Sequence, residues 1–241
     1  MELTTFLSPD DAERAQRTLK KLWRRGMEPL VLTGGLAIEL HRLDCGQAAE
    51  ARQLNDIDLL VDMFAAIPTT FADDLIFRHV HPHDPPGKTL LQGIAMETAA
   101  RVDVFRAYGD TMERAVPVKL CGMNLRMVSL EDLTARTARL CMDLAANLKV
   151  PAKHTRDFLR LLAFVEIKAI EPIWADHRKS GHPALFAGAA QLLSELIVNR
   201  KDLQFAPVYS RDPDASCARC SGTGAFPLAE GGQVLSLLGY C

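Results

Sequence analysis

The 241-residue chain has no run approaching 18 continuous apolar residues, about the length a helix needs to cross a bilayer. Its opening stretch, MELTTFLSPDD, supplies neither the basic region nor the apolar stretch of a secretory leader. Surplus charge is also missing: 28 Lys and Arg against 30 Asp and Glu leave −2 at pH 7. That balance excludes a protein that coats nucleic acid by bulk electrostatics, so any nucleic acid would be a docked substrate. Internal repeats and low-complexity segments are absent. Together these absences predict a cytoplasmic protein with no membrane partner. What is there is an ordinary globular composition, 48% apolar and 24% charged, long enough to bury a real core.

The segment SPDDAERAQRTLKKLWRRG reads as a helix, with Ser8 as N-cap, Pro9 in the first turn and Gly26 at the end. Ala12, Ala15, Leu19, Leu22 and Met27 form its apolar stripe. Arg14, Arg17, Lys21 and Arg24 or Arg25 form a basic one, read as a solvated surface with RNA contact as the alternative. PLVLTGG predicts a buried strand breaking into a turn, LAIELHRL a helix, and DIDLLVD a strand. FADDLIFRHVHPHDPPG and TLLQGIAMETAARVDVFRA predict further strands around a Pro/Gly-rich loop, and VPVKL and NLRMVSL complete a strand-rich half.

The period then changes from 2 to 3.6. Ser129 with Asp132 resembles a capping box, and Leu133, Thr137, Leu140, Cys141, Leu144 and Leu148 share a helical face. KHTRDFLRLLAFVEI and PALFAGAAQLLSELIVNR predict two more helices. The expected class is α+β, with a mixed sheet and its helices in residues 1–128, a helical domain in 129–206 and a loop-rich, cysteine-containing tail in 207–241.

Within RQLNDIDLLVD, Asp56 and Asp58 alternate with Ile57 and Leu59. On a strand the two acids share a face with Cα atoms about 6.6 Å apart. Two like charges so placed cost free energy unless a cation or water intervenes. Asp103 in RVDVF repeats the pattern of an acid inside an apolar strand. Gly34 and Gly35 lie between a strand and a helix, where backbone N–H groups and the helix N-terminus can approach phosphates. Hard carboxylate oxygens suit magnesium or manganese. One ion bridging to a triphosphate and a second, sharing the carboxylates and lowering the pKa of an acceptor hydroxyl, suit transfer of a nucleotidyl group. Asp56 and Asp58 would grip both ions, and Asp103 would complete the site of the second. In that arrangement Asp56, Asp58 and Asp103 are catalytic and metal-ligating, and Gly34 and Gly35 seat the β- and γ-phosphates.

TGGLAIELH, RQLNDIDLLVD, RVDVF and KHTRDF together resemble the nucleotidyltransferase superfamily with the DNA polymerase β-like fold, and within it the AbiEii-type toxin family. The resemblance spans roughly residues 29–165. It implies a minimal mixed sheet flanked by helices, a helical C-terminal domain, and magnesium-dependent use of a nucleoside triphosphate. It adds Arg52, Lys153, Arg156 and Asp157 as nucleotide-binding residues. It also implies an acceptor hydroxyl on RNA such as tRNA, on a protein or on a small molecule, and a separate antitoxin protein as partner. Leu54 stands where that family usually has threonine, and Arg160 where it has a second aspartate. The alternative is a nucleotidyltransferase-like protein that binds a nucleotide or partner without catalysis; a third reading is a zinc-organised adaptor.

Six cysteines in a reducing compartment point to thiols or a metal rather than disulfides. Cys217 and Cys220 have the C-x2-C spacing of a zinc site, and Cys241 is a candidate third ligand. Cys141, His177 and His182 are candidates for the fourth, and free thiols remain the alternative. His79, His81 and His83 alternate as zinc ligands on a strand would, but beside PPG they read as a polar loop.

Overall fold

The computed structural model describes residues 1–48, 50–79, 90–146 and 152–199. His81, His83, Leu148, Cys217, Cys220 and Cys241 lie outside the described residues. The chain divides into two compact units, one holding residues 1–107 and 115–127, the other residues 108–114 and 128–199. The short segment 108–114 therefore belongs with the helices although it lies between strands in sequence.

The first unit is built on a seven-stranded mixed sheet of order β3-β4-β5-β2-β1-β7-β6. Its strands are β1 (Val31–Thr33), β2 (Ile57–Val61), β3 (Leu75–His79), β4 (Leu90–Ala95), β5 (Arg101–Arg106), β6 (Val116–Leu120) and β7 (Met123–Met127). At its centre β2 pairs antiparallel with β1 and parallel with β5. Helix α1 (Pro9–Arg24) starts where Ser8 Oγ accepts the Asp11 N–H at 3.2 Å and stops short of Gly26, whose φ of +93° ends the last turn. Its stripe of Ala12, Ala15, Leu19 and Leu22 is buried in one core with Leu32, Ile57, Leu59 and Val102. The basic stripe is not free in solvent: Arg17 and Lys21 pair with Glu97, and Arg25 reaches Asp74 at 2.9 Å and Asp73 at 3.0 Å. Each such half-exposed pair stabilises by little, but the row lashes α1 to the strand ends.

Helix α2 (Gly34–Asp44) follows β1 without an intervening loop. The expected turn is instead the first turn of the helix, because Gly34 reverses the chain in one residue at φ +64°.

The second unit has four helices, α3 (Leu130–Ala146), α4 (Ala152–Leu162), α5 (Ile167–His177) and α6 (Phe186–Asn199). Asp132 N–H donates to Ser129 Oγ at 3.1 Å, which forms the serine half of the expected capping box, while the Ser129 hydroxyl donates to Asp132 Oδ2 at 2.7 Å. Ala135, Ala138, Cys141, Phe158, Ile170, Trp174 and Phe186 make its core. Helix α5 was not expected: Pro172 sits inside it and removes one backbone hydrogen bond. Complete burial of Ile170 and Trp174 outweighs that cost. Among the described residues no helix is long and apolar enough to cross a membrane.

Candidate active site

Parallel pairing of β2 with β5 sets Asp58 directly opposite Asp103, and Asp56 precedes β2 by one residue. One carboxylate oxygen from each of Asp56, Asp58 and Asp103 lies within 4.8 Å of the others. Asp103 is buried, while Asp56 and Asp58 are half-buried. From β4, Gln92 faces Asp103 across the ladder and donates Nε2–H to Oδ1 at 2.8 Å, which fixes that carboxylate.

A cation is built into the cluster. Arg101 stands two residues before Asp103 on the same strand, hence on the same face. Its guanidinium pairs with Asp56, and its Nε lies 3.4 Å from Asp103 Oδ2, near enough for attraction but not aligned as a hydrogen bond. Burial would lower the Arg101 pKa, yet Asp103 and Asp56 more than offset this and raise it. The Arg101 guanidinium thus stands among three converging carboxylates, hard oxygen donors of the kind a divalent cation takes. Oxygens gathered this closely from three carboxylates form a donor group that suits one hard divalent cation. The donor set is all oxygen, as magnesium or manganese prefers.

The glycine pair adjoins this cluster at the start of α2. A Cβ on Gly34 would lie 1.8 Å from Asp58 Oδ2, and one on Gly35 would lie 2.5 Å from an Arg52 terminal nitrogen. Gly34 is required by close approach to Asp58 and by its positive φ, whereas a side chain at Gly35 would displace the Arg52 guanidinium. Thr33, the N-cap of α2, is buried with its hydroxyl unpartnered. Arg52 is held by its backbone, whose N–H donates to Phe6 O at 2.7 Å, and by its side chain, whose Nε lies 3.3 Å from Glu39 Oε1. Leu54 is buried in the core while its N–H donates to Asp11 Oδ2 at 3.2 Å, so this position serves packing.

In the helical unit, Lys153 and Arg156 are exposed on α4, but Asp157 is buried, with Arg160 3.9 Å away. Burial and the charge of Asp157 push the Cys141 thiol up to about 12, which disfavours the thiolate that zinc would need. The other two candidates for a zinc ligand are engaged as well. His177 Nε2 lies 2.8 Å from Asp132, and His182 stacks on Trp174 beside Asp143.

Sequence reasoning missed Arg101, Gln92 and Glu39. Arg101 was visible in principle, because in RVDVF it shares the strand face of Asp103. Gln92 and Glu39 carried no such signal, since each meets its partner through tertiary pairing.

No protein-family model and no curated protein matches the chain. Among solved structures it is similar to ANT(2″)-Ia in complex with adenylyl-2″-tobramycin, at 16% identity and TM-score 0.44, covering 67% of this chain and 95% of that one. A solution structure of the same antibiotic-resistance factor gives 14% identity and TM-score 0.45, covering 78% and 96%. An antigenic nucleotidyltransferase-like protein from Paracoccidioides brasiliensis gives 16% and 0.40, covering 82% and 92%. At such identities and scores, what this chain does is read from its own residues.

Proposed function

We propose that the protein is a metal-dependent nucleotidyltransferase that moves a nucleoside monophosphate from a nucleoside triphosphate to a hydroxyl. The observation that carries this reading is the convergence of Asp56, Asp58 and Asp103 within 4.8 Å, beside a helix N-terminus kept bare by Gly34 and Gly35. Asp56 and Asp58 would hold two divalent cations, and Asp103 would complete the site of the one that activates the acceptor. The N–H groups at the start of α2 and the Arg52 guanidinium receive the β- and γ-phosphates, and the Thr33 hydroxyl has a donor to offer there. When bound, magnesium or manganese neutralises charge on the triphosphate and lowers the pKa of the acceptor hydroxyl. The acceptor oxygen bonds to the α-phosphorus as the bond to the bridging oxygen breaks. Pyrophosphate leaves and the hydroxyl proton passes to water. Lys153 and Arg156 are assigned to the triphosphate or the acceptor on sequence resemblance alone, with Asp157 as part of the same segment.

The acceptor favoured by the resemblance is an RNA end such as that of tRNA, then a protein hydroxyl, then a small molecule such as an aminoglycoside. The same resemblance suggests a toxin countered by a separate antitoxin protein. Purified protein should be incubated with magnesium, each labelled nucleoside triphosphate in turn, and total RNA or cell extract. A labelled product that is lost in Asp58→Asn is expected; no product with any triphosphate or acceptor pool would overturn the assignment.

A further inference from the structure

We infer that Glu39 is a positioning residue that pins the Arg52 guanidinium over Gly35, so that the charge meeting a triphosphate is set in place before the ligand arrives. The inference rests on the proposed phosphate site and deepens it. Glu39 lies in the second turn of α2 and is completely buried. A carboxylate removed from water costs several kcal/mol unless it is paired, and this one is paired twice. Its Oε1 lies 3.3 Å from Arg52 Nε and its Oε2 accepts Arg42 NH1 at 3.1 Å.

The two arginines differ in what else they touch. Arg42 is spent on structure: its NH2 donates to Ala48 O and to Glu50 Oε1, both at 3.2 Å. Arg52 turns Nε toward Glu39, while NH1 lies 2.5 Å from where a Cβ on Gly35 would stand. Its backbone N–H is meanwhile fixed on Phe6 O at 2.7 Å. The long side chain is therefore held at both ends, and its terminal nitrogens are brought to the N-terminus of α2. An arginine fixed in this way loses less rotamer freedom on binding phosphate than a free one.

The test compares Glu39→Gln, Arg52→Ala, the double variant and Arg42→Met. Binding of magnesium–ATP is followed by calorimetry, and unfolding temperature is measured on the same samples. Arg52→Ala should lose most of the affinity. Glu39→Gln should weaken it on the order of tenfold, as removing a partner that orients a ligand does, and the double variant should be no worse than Arg52→Ala alone. Arg42→Met, which leaves the Glu39–Arg52 pair intact, should bind as wild type does. Glu39→Asp, which keeps the charge, should recover part of the loss. In ¹⁵N-labelled protein the Arg52 Nε–H resonance should be protected from exchange in wild type and unprotected in Glu39→Gln.

Unchanged ATP affinity in a folded Glu39→Gln would overturn the inference while leaving the phosphate site standing, and so would equal losses in Arg42→Met and Glu39→Gln. If wild type itself fails to bind magnesium–ATP, the phosphate site falls and the inference with it. Should Glu39→Gln fail to fold, the ATP affinity of Glu39→Asp and the wild-type Nε–H exchange decide: normal affinity together with an unprotected resonance would overturn it.

Discussion

Two groups of carboxylates in this protein are built to opposite ends. In the sheet, Asp56, Asp58 and Asp103 lie within 4.8 Å of one another and share one guanidinium, that of Arg101. In the helical unit, the single carboxylate of Asp132 is completely buried and saturated. Its Oδ1 accepts from Thr111 at 3.2 Å, Arg114 at 2.8 Å and His177 at 2.8 Å, and its Oδ2 from Ser129 at 2.7 Å and Arg114 at 2.9 Å. Burial would raise the Asp132 pKa, but Arg114, His177 and Ser129 hold it well below the usual carboxylate range. The first group gathers three carboxylates face to face; the second engages its one carboxylate in five hydrogen bonds. A cluster of like charge persists in a fold when something outside the chain repays it, whereas a saturated carboxylate belongs to the architecture.

The contrast predicts opposite responses to the same chemistry. The largest effect is on transfer: Asp58→Asn should reduce product formation about a thousandfold, ~4 kcal/mol of transition-state stabilisation. Its ligand-free unfolding temperature should stay close to wild type or rise, because one of three repelling charges is gone. Loss of stability in parallel with activity would place that acid in the structural class. Next in size is Asp132→Ala, which leaves Arg114 with Asp176 alone and takes the acceptor from buried Thr111, Ser129 and His177. Denaturant unfolding should show a loss of about 3–5 kcal/mol. An unchanged midpoint would erase the distinction between the groups.

A smaller effect is the pH dependence of the helical unit. Burial lowers the His177 pKa from 6.5, with Asp132 opposing. A folded value below the unfolded one means that the unfolded chain binds more protons in that interval, so stability falls as the pH drops below about 6.5. Thermal unfolding from pH 7.5 to 5 should show this decline, and His177→Gln should flatten it. The smallest effect concerns the tail. Zinc found by metal analysis of protein purified without added metal should vanish in Cys217→Ser, and an unchanged metal content would remove Cys217 and Cys220 as ligands.

The central strands and first helix were legible because short apolar runs mark the strands and a capped 3.6-residue stripe marks the helix. Alternation in DIDLLVD and RVDVF put three acids on adjoining strands, and register then brought them together. Helix α5 was not legible, since Pro172 argues against a helix locally and only the burial of Trp174 and Ile170 overrides it. The counter-charges were hidden for a similar reason. Glu39 reads as an ordinary polar helix residue until Arg52, 13 positions later, folds back onto it. The basic stripe of α1 could not reveal its partners, because Glu97 and Asp74 lie far along the chain. Spacing reports which side chains share a face, whereas compensation between charges is a property of the assembled sheet.

Manganese binding tests the account most directly, because it asks whether the sheet acids hold a cation without relying on a known acceptor. Titration of the nucleotide-free protein with Mn²⁺, followed by the loss of the free-ion signal in electron paramagnetic resonance, should reveal a bound ion that Mg²⁺ displaces. Asp58→Asn and Asp103→Asn should each abolish it, and Asp132→Asn should not. Binding that survives in both sheet variants, or none in wild type, would contradict the claim that Asp56, Asp58 and Asp103 form a divalent-cation site.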